Sequence, residues 1–181
     1  MLRLIYIFPV LLLCSCSTVL KYPQSGTQPI RPGLTATFSN KPFKTEDKAY
    51  QIPPEYSKRN LLNHFDSVTS KVQADTVRLE FSNNGKLTIF YHDGQEAKSA
   101  SYNGTFSKKG YFDIIFKLKV VKIPPLLPIL YSHVERDRIR FYLTKENDLL
   151  ICRQWVSGGN IFILSGGDSD KTKNFFHRAG Q

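Results

Sequence analysis

The stretch YFDIIFKLKV, residues 111–120, decides the fold of this 181-residue chain. Apolar residues occupy every even position from Phe112 to Val120, whereas Lys117 and Lys119 stand at odd positions. Successive side chains of a β-strand point to opposite faces, so this period of two indicates a half-buried strand with its lysines in solvent. The predicted buried face comprises Phe112, Ile114, Phe116, Leu118 and Val120.

The same alternation recurs on both sides of this stretch. Further strands are predicted around residues 34–39, 76–81, 87–91, 98–106, 138–143, 149–156 and 161–165. Short turns rich in Asn, Asp, Gly and Ser separate them, at residues 83–85, 92–95, 107–110, 146–148 and 157–160. One short helix, over residues 55–65 after Pro54, is expected after the first strand. A long antiparallel meander must hide its edges, so we expect a mainly β fold, an up-and-down barrel or a strongly curved sheet.

Two polar segments flank the predicted β domain. Residues 16–33 lack an apolar period and carry prolines and glycines, so they predict a flexible tether. The domain itself then spans residues 34–167. Residues 168–181 are polar and charged apart from two phenylalanines, and a disordered tail is expected there.

The first sixteen residues form a signal of their own. A ten-residue apolar stretch, residues 4–13, follows a single arginine and has the length of a secretory signal rather than of a spanning helix. It runs into Leu13-Cys14-Ser15-Cys16, which resembles the lipobox of bacterial lipoproteins with Cys16 as the lipid-bearing residue. The resemblance implies removal of residues 1–15 and a palmitate-type lipid anchor on Cys16. Lipidation of Cys14 instead, an ordinary cleaved signal and an uncleaved anchor stay open as alternatives.

The residues after Cys16 bear on localisation. Ser17 rather than Asp follows the cysteine, which by resemblance to the sorting rule of some Gram-negative bacteria implies the outer membrane. Residues 18–21, TVLK, lack the acidic run associated with surface export in Bacteroidetes, so the periplasmic face is expected. The membrane is then the first partner of the protein, and nucleic acid is not an expected one.

The order of predicted elements resembles the lipocalin-like, or calycin, architecture. A Gly-led first strand at residues 33–38 is followed by a helical excursion and a run of hairpins. The pattern is also similar to small uncharacterised lipoproteins of the Bacteroidetes type. The lipocalin Gly-x-Trp signature is absent, because Thr35 stands in the place of the Trp, and no ligand contact is carried over. If the barrel is hollow, the expected lining of an apolar ligand site is Tyr102, Phe112, Phe116 and Phe141.

Motifs for catalysis or metal binding are missing from the sequence. The four histidines, at positions 64, 92, 133 and 177, form neither an H-x-H nor an H-E-x-x-H pattern. Cys152 ends the apolar run LLIC, which favours a buried inert thiol over a nucleophile. No catalytic residue, metal or cofactor is therefore expected.

Two surface features have alternative interpretations. The formal net charge is +10, and lysines cluster between residues 108 and 122, either as a solvated strand face or as a site for anionic lipid headgroups. Residues 123–130, IPPLLPIL, cannot form a central strand because three prolines lack the donor. They are expected to plug one end of the barrel or to form a lip that meets a ligand, lipid or partner.

These observations predict a non-catalytic, membrane-anchored protein of the cell envelope. It is expected either to bind an apolar small molecule or lipid or to act as an accessory subunit for an envelope protein. The alternative is a hydrolase-type enzyme whose site is assembled only in the tertiary structure. A close-packed interior favours the accessory role, whereas an open cavity favours the ligand carrier.

Overall fold

The chain folds almost entirely into β-strands. The computed structural model describes residues 26–47, 59–65, 72, 74–123, 131–161 and 164–180. Within them, eleven strands and one 3-10 helix, Leu61–His64, are present. The strands are β1 (Thr27–Gln28), β2 (Thr35–Ser39), β3 (Lys44–Asp47), β4 (Thr76–Phe81), β5 (Lys86–Asp93), β6 (Glu96–Asn103), β7 (Thr105–Phe106), β8 (Phe112–Ile123), β9 (Tyr131–Thr144), β10 (Leu149–Ile161) and β11 (Leu164–Phe176). The predicted mainly β, antiparallel fold is confirmed.

The strands form two open sheets, so the predicted closed barrel is wrong for the described part of the chain. A small sheet has the order β2-β4-β5-β6, and a large sheet has the order β3-β11-β10-β9-β8-β7, with β1 paired to the end of β9. All pairings are antiparallel. Because each sheet covers one face of the other, the apolar faces are buried without closure of either sheet.

Gly104 marks the point where the meander passes from one sheet to the other. It lies between β6, the last strand of the small sheet, and β7, the first strand of the large one. A Cβ atom at this position would stand 2.7 Å from the carbonyl oxygen of Asp113 and equally close to the ring of Phe112. Only a residue without a side chain permits the chain to approach β8 this closely. Gly104 therefore allows the crossing between the two sheets at this point.

The hydrophobic core lies between the two sheets. Three of its fully buried aromatic rings meet at the centre, where Phe81 lies 5.2 Å from Phe112 and 5.9 Å from Phe141 between ring centroids. The aliphatic members come from both sheets and from the 3-10 helix, and the most buried are Leu61, Leu62, Val77, Leu79, Leu87, Ile89, Ile139, Leu149 and Ile151. We call the face of the large sheet that meets this core its inner face and the opposite one its outer face.

The predicted helix over residues 55–65 is replaced by the single 3-10 turn Leu61–His64, and residues 55–58 lie outside the described part of the chain. Asn40 fixes this turn, because its carbonyl oxygen accepts from the Leu61 amide at 2.8 Å and its side-chain oxygen from the Leu62 amide at 3.0 Å. Leu61, Leu62 and Phe65 are buried, as their spacing predicts. A short turn is enough to bury all three.

A β-bulge at Phe116 corrects the prediction of one continuous apolar face on β8. Ile115 pairs with Arg138 and Lys117 with Asp137, so Phe116 has no partner in β9. An extra residue reverses the alternation, and from Lys117 onward the odd positions of β8 lie on the inner side. Leu118 and Val120 therefore lie on the outer face, where they are 54% and 51% exposed.

Four strands continue well past the core. We call residues 117–123, 131–137, 155–161 and 164–170 the sheet extension; at about 3.3 Å per residue its seven-residue strands run roughly 20 Å. The predicted turn at residues 157–160 lies inside β10, and residues 168–176 of the predicted disordered tail belong to β11. Residues 157–160 and 168–171 are polar or glycine and lie beyond the described core, whereas Thr172 and Asn174 are polar although they are buried. Neither segment therefore has an apolar period that reveals a strand.

The domain also begins earlier than the sequence predicts. Thr27–Gln28 pairs with β9, and Ile30 is buried in the core, although both lie in the predicted tether of residues 16–33. Residues 16–25 of that tether lie outside the described part of the chain.

Alanine substitutions should distinguish buried from exposed positions of the large sheet by their effect on the free energy of unfolding. Phe141→Ala should lower the free energy of unfolding by about 3–5 kcal/mol, because it removes a fully buried ring and leaves a cavity. Leu118→Ala, on a half-exposed side chain, should cost less than about 1 kcal/mol. Urea unfolding of the two variants measures the difference, and equal losses would show that the extension is buried after all.

Candidate functional site

The residues predicted to line a ligand site come together in the structure, as part of a packed aromatic cluster. Phe112 and Phe141 lie 6.3 Å apart, and Tyr102 meets Phe116 edge to face at 5.9 Å. The ring of Phe65 joins the two pairs, at 4.9 Å from Tyr102 and 6.1 Å from Phe141. At these distances the rings are in contact with one another, so the cluster serves as core.

Cys152 lies on the outer face of the large sheet. It is buried beside Tyr142 and Leu150, with Tyr111 and Phe175 packed around them. Burial raises the pKa of the Cys152 thiol to about 12, outweighing the opposing effect of Lys173 and Arg140. The thiol therefore stays protonated near neutral pH, which fits the inert role that the sequence predicts.

The four histidines do not assemble into one site. His64 is buried on the inner side of the large sheet, opposite the face that carries Cys152. His92 is exposed on β5, His133 lies on β9 near Glu135, and His177 stacks on Phe43 at 3.8 Å. Across the described residues, no group of three or more His, Cys, Asp or Glu side chains could hold a metal ion.

An Arg153–Asp137 ion pair stands where the core gives way to the extension. Arg153 Nε donates to Asp137 Oδ1 at 3.1 Å and Nη2 donates to Oδ2 at 2.6 Å, a bidentate geometry that fixes both side chains. Arg153 Nη1 also donates to the carbonyl oxygen of His64 at 3.4 Å, and the guanidinium lies 5.8 Å from the ring of Phe116. Arg153 thereby connects the 3-10 turn, the bulge and β9. No periodic pattern in the sequence indicates this pair.

His64 belongs to a small buried polar group below that ion pair. Thr45 Oγ1 donates to Asn174 Oδ1 at 2.8 Å, which leaves Asn174 Nδ2 to donate to His64 Nε2 at 3.4 Å. His64 then carries its proton on Nδ1. Burial lowers the pKa of His64 to about 3, and the positive charges of Arg153 and Arg59 act in the same direction. A neutral, enclosed imidazole of this kind is a poor proton carrier near pH 7.

The outer face of the large sheet carries its own ion pairs. Asp113 lies 3.4 Å from Arg140 Nε and 3.9 Å from Arg138, while Gln154 accepts from Arg138 at 2.9 Å. Burial raises the pKa of Asp113, although both arginines oppose the shift. Among the residues whose side chains the structure describes, six basic ones share this face by strand register with the carboxylates Glu46 and Asp113; they are Lys44, Arg136, Arg138, Arg140, Lys171 and Lys173.

The inner side of the extension has the opposite balance. Its register places four carboxylates there, Glu135, Asp137, Asp168 and Asp170, together with Lys117 and Lys119. Lys117 Nζ contacts Glu135 Oε2 at 2.7 Å, and this contact, with a smaller one from His133, lowers the pKa of Glu135. The bulge is the reason that these two lysines face the carboxylates rather than the basic outer face.

Exposed apolar side chains distinguish the extension from the rest of the described surface. Six of the seven large hydrophobic residues that are exposed lie on it or at its base: Ile115, Leu118, Val120, Ile123, Trp155 and Ile161. Ile115, Leu118 and Val120 share the outer face of β8. Apolar side chains clustered on a solvent-exposed face are typical of a site that binds a partner.

Comparison of the chain with protein-family models, with curated proteins and with solved structures finds no match. Cys16, the predicted lipid-attachment residue, and residues 124–130 of the proline-rich segment lie outside the described part of the chain. No helix in the described ranges is long and apolar enough to cross a membrane.

The buried His64 should make stability depend on pH. Its pKa is about 3 in the folded protein against 6.5 for an ordinary histidine, so below pH 6.5 the unfolded chain binds a proton that the folded chain excludes. The free energy of unfolding should therefore fall with decreasing pH, by up to about 1.4 kcal/mol per pH unit from this group alone.

Urea unfolding between pH 7 and pH 4 measures this effect. His64→Gln should remove that component of the pH dependence, whereas His92→Gln, at an exposed position, should retain it. Identical pH profiles for the wild type and His64→Gln would mean that the pKa of His64 is the same in the folded and the unfolded chain.

Proposed function

We propose that this protein is a non-catalytic, lipid-anchored accessory subunit of the cell envelope. The observation that carries the proposal is the sheet extension, which continues four strands beyond the core and presents apolar side chains on both of its faces. Exposed apolar surface costs solubility, so a protein keeps it where another molecule covers it.

The packed aromatic cluster supports the accessory role over that of a ligand carrier. Tyr102, Phe112, Phe116 and Phe141, the expected lining of an apolar ligand site, contact one another directly or through Phe65. A small-molecule site needs a concave space that buries most of the ligand. These rings instead occupy the interior between the sheets themselves.

The placement of Cys152 and His64 supports a non-catalytic role. A nucleophile and its base must lie within hydrogen-bond reach, yet these two residues are buried on opposite faces of the large sheet. Their pKa values, about 12 for the thiol and about 3 for the imidazole, keep both uncharged near neutral pH. Neither group is prepared for proton or acyl transfer.

The N-terminal sequence supports the membrane anchor. Two or three acyl chains on Cys16, each burying many CH₂ groups at about 0.8 kcal/mol apiece, give lasting attachment. Nine residues separate Cys16 from Gly26, where the described domain begins, and a fully extended chain between these two residues spans at most roughly 35 Å. The tether therefore keeps the domain close to the bilayer, which we place at the periplasmic face of the outer membrane.

Removal of the lipid-bearing thiol tests the anchor. Cys16→Ala should move the protein from the membrane pellet to the soluble fraction, because no acyl chain can be attached. Cell fractionation with immunodetection measures the distribution, and Cys14→Ala serves as the matched control that should remain membrane-bound. A signal-cleaved Cys16→Ala protein that still pellets with membranes would rule out this anchor.

Native complexes test the accessory role. In detergent extracts of its own membranes the wild type should migrate in a complex larger than the monomer, and Val120→Glu, on the exposed outer face, should shift it to the monomer position. Ser99→Glu, at an exposed position of β6, should leave the complex intact. A wild type that migrates only as a monomer contradicts the proposal.

A further inference from the structure

The edge of β8 that faces away from β9 is the longest unpaired strand edge among the described residues. On that side β7 pairs only with Phe112 and Asp113. From Ile114 to Ile123, no other described strand lies beside β8 on the side away from β9. An uncovered edge presents a row of backbone N–H and C=O groups that can pair with another strand.

Between Lys117 and Val120 the side chains along this edge alternate in chemistry. After the bulge at Phe116, Leu118 and Val120 face outward and are more than half exposed, while Lys117 and Lys119 point to the inner side. Lys117 is in contact with Glu135, whereas no carboxylate of the described residues forms an ion pair with Lys119. Along residues 117–120 a strand added here would meet apolar side chains on the outer face and the two lysines on the inner one, with the carboxylates of Asp137 and Glu135 one strand further in.

A second copy of this chain does not fit that pattern well. Antiparallel pairing of β8 with β8 of another molecule would bring four lysines onto one face of a two-stranded ladder. Like charges on neighbouring strands destabilise the pairing. Lysines on an edge are a common device against such self-association. The complementary strand carries acids where this one carries lysines.

We propose that β8 binds an extended segment of a partner protein in which acidic and apolar residues alternate. The segment adds as a strand along residues 117–120, with its apolar side chains beside Leu118 and Val120 and its carboxylates beside Lys117 and Lys119. Backbone hydrogen bonds supply affinity, and the alternating side chains set the specificity. This proposal rests on the accessory role proposed above and names the chemistry of the partner.

Synthetic peptides test the proposal directly. The full-length protein in detergent is titrated against three labelled, end-capped hexapeptides, and fluorescence anisotropy reports binding. The first alternates Glu and Val, the second alternates Lys and Val, and the third is the Glu-Val peptide with alternate backbone nitrogens methylated. The Glu-Val peptide should bind at least ten-fold more tightly than either of the others.

Charge variants locate the site on β8. Lys119→Glu should abolish the preference for the Glu-Val peptide, and the neutral Lys119→Gln should reduce it several-fold. Lys86→Glu makes the same charge change at an exposed position of the small sheet and should leave the preference intact. The unfolding midpoint of each variant, measured in parallel, separates loss of binding from loss of fold, and Lys119→Gln carries the test if Lys119→Glu does not fold.

Three results would overturn the proposal. Equal binding of the methylated peptide would indicate apolar adsorption rather than strand addition. Concentration-dependent dimerisation that the peptide displaces would make a second copy the occupant. Absence of any peptide binding would mean that the edge is covered or inactive, while the migration of Val120→Glu in native extracts still decides the accessory role independently.

Discussion

The contact of Phe81 with Phe112 and Phe141 holds the two sheets together, and the remaining architecture depends on it. Phe81 belongs to the small sheet and the other two rings to the large one, so their edge-to-face contacts at 5.2 Å and 5.9 Å cross the interface between the layers. The close passage of the chain at Gly104 brings Phe112 into that position. A side chain at residue 104 would displace the ring and separate the layers.

The sizes of the two sheets explain why an extension exists. The strands of the small sheet are five to eight residues long, whereas β8 to β11 have twelve to fourteen. The small sheet therefore covers only one end of the large one. Arg153 and Asp137 stand at this boundary, where their bidentate pair and the contact with the His64 carbonyl close the end of the core.

Alternation in the sequence predicts the strands that bury one face and fails where burial ends. It identifies β4, β5 and the first half of β8 because Val77, Leu87 and Phe112 recur with neighbours at a spacing of two. It assigns residues 157–160 and 168–176 to a turn and a tail, because the first lie beyond the described core and two buried positions of the second, Thr172 and Asn174, are polar. Hydrogen bonds to β9 and between β10 and β11 hold these residues extended, and a local pattern does not report such long-range pairing.

The sequence does not predict the bulge at Phe116, because a bulge leaves no mark on the alternation of side chains. Residues 112–120 alternate without interruption, so the pattern itself predicts a regular strand. The bulge forms because Arg138 and Asp137 remain in register with β10 while β8 gains a residue, which is a property of three strands together. The candidate site shares this limit: the aromatic cluster was predicted in part, but Phe65, Phe81 and the Arg153–Asp137 pair come from other elements.

The sheet extension gives the molecule two levels of cooperativity. The strands between the sheets open only when the aromatic core is exposed, so their amides are protected by the full free energy of unfolding. The outer ends of β8 to β11 are held by hydrogen bonds between neighbours, and no second layer among the described strands covers them; such segments open in local steps of much lower free energy. A bound molecule can therefore exchange on and off the extension, even with fraying of its strands, while the fold of the domain stays intact.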